Sequence, residues 1–288
     1  MLIGLTFLVG SPITYRIDMK NMSRITKVIM PVAGLGKRLR PLTLKTPKAL
    51  VPVMGRPLLD YILEEAHESG LSEAFLVVSP QHKTQFESYI EKNKERFKKL
   101  RFKILVQREA LGNGQAVLEG AKIANGEPMA VRFCDDILIH EKPALKSLID
   151  LFRIHGAPIF VLERVPKILI PHYGVVAVRR KLTPLLHEVS RVVEKPNVRE
   201  LLGTEGLSNL AVVGAYVITP SVVEHLKRVA PFAPPLGDAL PITLGFHHEL
   251  AEGKKVYGWE FPGKRLDCGT LEGLKKAEEF LKSITPGK

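Results

Sequence analysis

Cysteine is scarce in this chain of 288 residues: Cys134 and Cys268 are the only two, and they stand far apart. A disulfide framework is thereby excluded, and the usage suits a reducing compartment. No apolar run is long enough to span a bilayer. The opening MLIGLTFLVG is too short, and it lacks the basic flank and small-residue cleavage site of a secretory leader. Met19 and Met22 immediately precede the first strand pattern. Residues 1–22 therefore read as a loose N-terminal extension or a start assigned too early, and the protein as cytoplasmic with no membrane partner. Zinc-finger spacing and RNP-type aromatic motifs are also missing. With nucleic acid set aside, the formal net charge of +12 points to a phosphate-bearing small molecule, against the plainer reading of a solubilising surface.

The periodicities alternate. Val28 to Ala33 is a buried strand running into a glycine loop. Pro57 to Ser69 is a helix stopped by Gly70, with Leu58, Leu59, Ile62, Leu63 and Ala66 on one face. Strands at 74–79, 102–107 and 129–133 alternate with helices at 82–98, 114–124 and 142–155. This rhythm predicts an α/β, Rossmann-like, doubly wound and mostly parallel sheet. The second half is richer in strands (159–163, 174–178, 188–194, 211–218 and 255–261), interrupted by helices near 221–229, 238–251 and 271–281. It reads as a continuation of the same sheet with a substrate-binding subregion. No Gly/Ser linker or solenoid repeat divides it, so residues 23–288 are expected to form a single domain.

Ala33-Gly34-Leu35-Gly36-Lys37-Arg38-Leu39-Arg40-Pro41 follows the first strand. Two glycines let backbone N–H groups approach an anion, and Lys37, Arg38, Arg40 and Lys48 supply positive charge. A Walker A loop is absent, and Leu39 stands where a dinucleotide fingerprint needs its third glycine. That residue, with no acidic group ending a second strand, counts against a dinucleotide-dependent oxidoreductase. Asp135 and Asp136 end an apolar strand, the position at which open α/β sheets bind ligands. A few hard oxygen ligands, completed by phosphate and water, suit Mg²⁺. Cys134 and Cys268 each adjoin an aspartate. A zinc site is conceivable, but strand alternation turns them away from those carboxylates into the core.

The stretch GLGKRLRPLTLKTPKALVPVMGRP resembles the signature of sugar-1-phosphate nucleotidyltransferases. LGNGQAVL (111–118), YGVV (173–176), VVEKP (192–196), SNLAVVGAYV (208–217) and LDCGT (266–270) are similar to segments of the bacterial-type UTP–glucose-1-phosphate uridylyltransferases. The resemblance covers about residues 27–280. It implies a nucleotide-binding part over about 27–156 and a sugar-binding part over about 157–288. It further implies Mg²⁺-dependent transfer of uridylyl from UTP to glucose 1-phosphate, with Asp135 and Asp267 as metal ligands. Arg38 would meet the β- and γ-phosphates, Lys48 the α-phosphate region and Lys195 the sugar phosphate. Ala33, Gly34, Gly36, Gln107 and Gly112 would line the nucleotide, the last two reading uracil. Glu194, Gly174 and Asn209, with Tyr173 and Ser208 beside them, would line the sugar.

Two departures bear on the substrate. The run Gly237-Asp238-Ala239-Leu240-Pro241-Ile242-Thr243-Leu244 lacks carboxylates usual at 239 and 244, and Leu111 replaces a common lysine. The same chemistry with dTTP or with another hexose or N-acetylhexosamine 1-phosphate is the alternative, as is a non-catalytic sugar-nucleotide binder. A homo-oligomer is possible, because the helix at 271–281 could pack between subunits or on its own sheet.

Overall fold

The computed structural model describes residues 24–196, 206–233 and 240–285; the N-terminal extension and Gly237, Asp238 and Ala239 lie outside them. In chain order the first strands are β1 (Lys27–Pro31), β2 (Pro52–Val53), β3 (Arg56–Pro57), β4 (Glu73–Val78), β5 (Arg101–Val106), β6 (Met129–Arg132) and β7 (Asp136–Ile139). They are followed by β8 (Ile159–Arg164), β9 (Gly174–Lys181), β10 (Leu186–Glu194), β11 (Leu207–Ile218), β12 (Tyr257–Glu260) and β13 (Lys264–Asp267). The described helices are α1 (Leu58–Glu68), α2 (Lys83–Asn93), α3 (Asn113–Ala121), α4 (Ala144–His155), α5 (Pro220–Val229), α6 (Thr243–Ala251) and α7 (Leu271–Ile284).

Nine strands join in the order β5-β4-β1-β6-β11-β8-β12-β10-β9. The pairings from β5 through β6 are parallel. Beyond β6 the strand-rich half enters antiparallel, β11 against both β6 and β8, and β10 against β12 and β9, with β12–β8 alone parallel. The mostly parallel sheet expected from sequence thus holds for the first half, and the whole sheet is mixed. The cause is local: β9 and β10 are joined by a short turn rather than a crossover helix, and such connections make antiparallel neighbours.

Both faces are covered, which explains the continuous apolar runs of β1 and β4. Val28 and Met30 turn into one core with Leu59 and Ile62 of α1, Phe86 of α2 and Leu148 of α4. Ile29, Phe75 and Val77 turn into the other with Val117 of α3, Leu226 of α5 and Phe246 of α6. A third cluster lies beneath the glycine loop: Leu39, Val51, Val53, Leu58, Ile137 and Leu266 pack with Cys268 and with Leu274, Ala277 and Leu281 of α7. The last described helix therefore packs on its own chain. Helix α2 ends at Asn93, short of the predicted 98, yet Phe97 and Leu100 beyond it remain buried.

Leu39 is fully buried in the third cluster. Leu39→Ala is expected to lower stability by about 2–5 kcal/mol, read as a lower urea midpoint at unchanged slope.

Candidate active site

The basic loop leaves β1 and turns at Gly36, whose φ of 59° lies in the left-handed region that a side chain disfavours. Its carbonyl accepts from the Leu39 amide at 2.8 Å and the Thr43 hydroxyl at 2.7 Å. A Cβ there would also strike the Thr43 methyl at 2.8 Å. Gly34, beside the half-buried Ala33, is exposed with no atom within 4 Å of where its Cβ would be, so the fold itself does not demand glycine. Arg38 is exposed on the following 3-10 turn, and its guanidinium lies 3.1 Å from where a Cβ on Gly269 would sit. The loop after β1 and the Asp267-Cys268-Gly269 turn thus meet, although they are remote in sequence.

The two aspartates meet in the same way. Asp135 occupies the turn between β6 and β7, and Asp267 ends β13. Strands β7 and β13 form a separate two-stranded antiparallel ladder in which Asp267 faces Asp136, and the Cys268 amide donates to the Asp135 carbonyl at 2.7 Å. Lys48 donates to Asp135 Oδ2 at 2.6 Å. Burial alone would raise the Asp135 carboxyl, but the Lys48 ammonium outweighs it and brings the group down to about 2. Burial likewise pulls on Lys48, and Asp135 leaves it raised instead.

Arg265 holds the remaining carboxylates. Its Nε donates to Asp136 Oδ1 at 2.6 Å, Nη1 to Glu163 Oε2 at 2.6 Å and Nη2 to Asp267 Oδ2 at 3.1 Å. The Tyr173 hydroxyl also donates to Asp267 Oδ2, at 3.2 Å, while the Gly269 amide donates to Oδ1 at 2.8 Å. Burial, with Asp135 and Asp267 nearby, pushes Asp136 up to about 6 even against Arg265. Asp136 is therefore part of the support for Arg265. The partly exposed carboxylates of Asp135 and Asp267 are held at defined places, and such hard oxygen donors fit Mg²⁺ with phosphate and water completing its shell. The cysteines do not compete for a metal: Cys134 and Cys268 are buried in different clusters, and burial pushes each thiol up to about 12.

Gly174, Glu194 and Lys195, expected at the sugar, come together. Gly174 faces Glu194 across the β9–β10 ladder, and a Cβ on it would come within 2.9 Å of Glu194 Oε2. Lys195 has φ 44°, rare for a residue with a side chain, and its amide donates to the Tyr173 carbonyl at 3.0 Å. Asn209 is engaged elsewhere. Its Oδ1 accepts from Arg164 at 2.9 Å and its Nδ2 donates to the Val165 carbonyl at 3.0 Å. Asn209, expected at the sugar, thus also bridges β11 and the end of β8.

Gln107 and Gly112, expected at the base, also converge. Gln107, buried at the end of β5, donates through Nε2 to the Gly112 carbonyl at 3.0 Å. Gly112 has φ 104°, and a Cβ there would strike the Leu240 carbonyl oxygen at 2.8 Å. The α3 N-terminus is only partly open, because the Gly114 amide donates to that same Leu240 oxygen at 2.8 Å.

Sequence reasoning missed four participants. Arg265 and the Tyr173 hydroxyl hold the carboxylates, and Glu163 is a further acid on the Arg265 guanidinium. Thr243 donates to Glu194 Oε2 at 2.8 Å and lies in the departing segment itself. The only advance signal for Arg265 was its place two residues before Asp267, on the same face of a strand.

This assembly of a glycine loop, two aspartates and flanking cations on a mixed α/β sheet defines a phosphate-handling enzyme fold, and the chain belongs to the nucleotidyl transferase family, whose model matches residues 27–284. Among curated relatives it is similar to the UTP–glucose-1-phosphate uridylyltransferase of Staphylococcus epidermidis, 31% identical over 88% of this chain and 91% of that protein. It is similar also to the enzyme of that name from Mycoplasma pneumoniae, 30% identical over 90% and 93%. A solved UDP-glucose pyrophosphorylase complexed with UDP-glucose superposes with a TM-score of 0.79, at 29% identity over 91% of this chain and all of that one.

Arg265→Met leaves Asp136, Glu163 and Asp267 without their shared cation. A loss of about 3–5 kcal/mol is expected, measured by chemical denaturation; an unchanged midpoint would contradict the assigned role.

Proposed function

We propose that this protein transfers the uridylyl group of UTP to glucose 1-phosphate, giving UDP-glucose and pyrophosphate in the cytoplasm. The observation that carries the reading is the tie between the Asp135 and Asp267 turns, beside Lys48 and against Arg38. The family fixes the class of chemistry, and the curated relatives named above support the choice of nucleotide and sugar.

The reaction joins two polyanions. A phosphate oxygen of the sugar phosphate attacks the α-phosphorus, a new P–O bond forms, and the bond to the pyrophosphate oxygen breaks. The nucleophile is already ionised near neutral pH, so no strong base is required, and catalysis is positioning with charge neutralisation. Asp135 and Asp267 would hold Mg²⁺, which when bound supplies positive charge to the nucleotide phosphates. Lys48, kept protonated by Asp135, faces the α-phosphate. Arg38 takes the leaving phosphates from the open side of the glycine loop. Lys195 draws in the sugar phosphate, and Glu194, oriented by Thr243, accepts from sugar hydroxyls. Gln107 and the Gly112 turn read the base through one donor and one acceptor.

Pyrophosphate release measured over a panel of nucleoside triphosphates and sugar 1-phosphates tests the assignment. UTP with glucose 1-phosphate is expected to give the highest kcat/KM, activity is expected to vanish with EDTA and return with Mg²⁺, and Asp135→Ala is expected to abolish it. A higher kcat/KM with dTTP or with an N-acetylhexosamine 1-phosphate would reassign the substrate, and no release with any pair would make the chain a binder. Lys195→Ala is expected to lower kcat/KM for the sugar phosphate on the order of 100-fold, with KM for UTP nearly unchanged.

A further inference from the structure

Arg132 closes β6 and is among the most deeply buried large side chains of the described residues, at 1% exposure. Its neighbours on the strand, Ala130 and Val131, are wholly apolar, and a leucine at 132 would serve such a core as well. Every described bond of the guanidinium goes to the turn that carries Asp135 or to what braces it. Nη1 donates to the Phe133 carbonyl at 2.8 Å and the Gly214 carbonyl at 3.3 Å, and Nη2 to the Asp136 carbonyl at 2.7 Å. Nε donates to Glu65 Oε2 at 2.7 Å. Glu65 Oε1 in turn accepts from the Leu145 amide at 3.0 Å, which ties α1 to the start of α4.

The fork therefore grips the backbone on both sides of Cys134-Asp135, and the carbonyl of Asp135 itself is taken by the Cys268 amide. Only a planar fork can span two carbonyls at fixed spacing; an ammonium offers a point charge. Gly214 makes room for the arrangement. A Cβ there would come within 3.0 Å of Arg132 Nη1 and 2.6 Å of Asp136 Oδ2, and its φ of 39° is itself unfavourable for a side chain.

We propose that Arg132, braced by Glu65, is a positioning residue that sets the Asp135 carboxylate for divalent-metal binding and turnover. The proposal rests on the metal-dependent transfer proposed above, and it concerns residues that touch neither substrate nor metal.

The test uses the full chain with two changes, Arg132→Lys and the double change Arg132→Met with Glu65→Gln, the latter removing the buried charge pair together. Mn²⁺ binding to the protein alone is followed by electron paramagnetic resonance of the free ion, beside the urea midpoint and kcat and KM for both substrates. Outer-shell partners of metal ligands typically govern affinity by about 10–100-fold. Each variant that folds is expected to weaken Mn²⁺ binding at least tenfold and lower kcat, with KM for the sugar phosphate within twofold of wild type. The lysine is not expected to rescue. Wild-type Mn²⁺ affinity in a folded Arg132→Lys protein, or in the double variant with only a lowered urea midpoint, would overturn the proposal and leave Arg132 a core residue. A wild-type protein that binds no Mn²⁺ would overturn the metal reading beneath it.

Discussion

Like charges brought together must be held, and this molecule gathers four carboxylates in one place: Asp135, Asp136, Glu163 and Asp267. At an effective dielectric near 20, two such charges about 4 Å apart repel by about 4 kcal/mol, a large share of a domain's whole stability. Lys48 and Arg265 answer all four with two positive charges, by bonds of 2.6 Å to Asp135, Asp136 and Glu163 and of 3.1 Å to Asp267. These acids are groups that the fold must restrain.

Hydrogen-bonded backbone does much of that restraining. The ladder between β7 and β13 stands outside the nine-stranded sheet and does one thing for the site: it registers Asp267 against Asp136. Beneath it the third apolar cluster packs both strands against α7 and against Leu39 of the basic loop. A segment that reads as a solvated basic turn therefore has a buried anchor, and its cations project from a fixed base. On the far side the stretch from Leu240 to Thr243 carries comparable weight. Leu240 exchanges bonds with Leu111 and Gly114, the Ile242 amide donates to Asn113 Oδ1 at 2.7 Å, and Thr243 reaches Glu194. The Gly112 loop and the Glu194 carboxylate are joined through four consecutive residues.

The parallel half was legible because buried parallel strands are uninterrupted apolar runs and their helices carry clear 3.6-residue faces, as Leu58 to Ala66 does. Arg38, Lys48, Asp135 and Asp267 stood out through their motifs, and what the structure adds is that their turns meet. The β7–β13 ladder was not legible: four-residue strands carry too little alternation to be read, and their pairing is a fact of tertiary structure. Arg265 and Glu163 were invisible for a related reason, since a charged residue on a short strand looks solvent-facing until its partners are known. The two bonds of Asn209 to Arg164 and Val165 were equally out of reach, since they depend on where β8 ends. The antiparallel entry of β11 was likewise beyond periodicity, which reports burial and not direction.

The order in which the chain supplies these parts has a consequence for its synthesis. Asp135, Lys48 and the parallel strands precede the midpoint, whereas Arg265, Asp267 and the helix that seals the third cluster come last. During translation, N-terminal segments have time to collapse before the rest emerges. The early half must therefore wait with its acidic turn uncompensated by Arg265, its basic loop unanchored and Leu39 unburied by α7. Assembly of this cluster is a late, long-range event, because residues through α7 must emerge before its parts can meet.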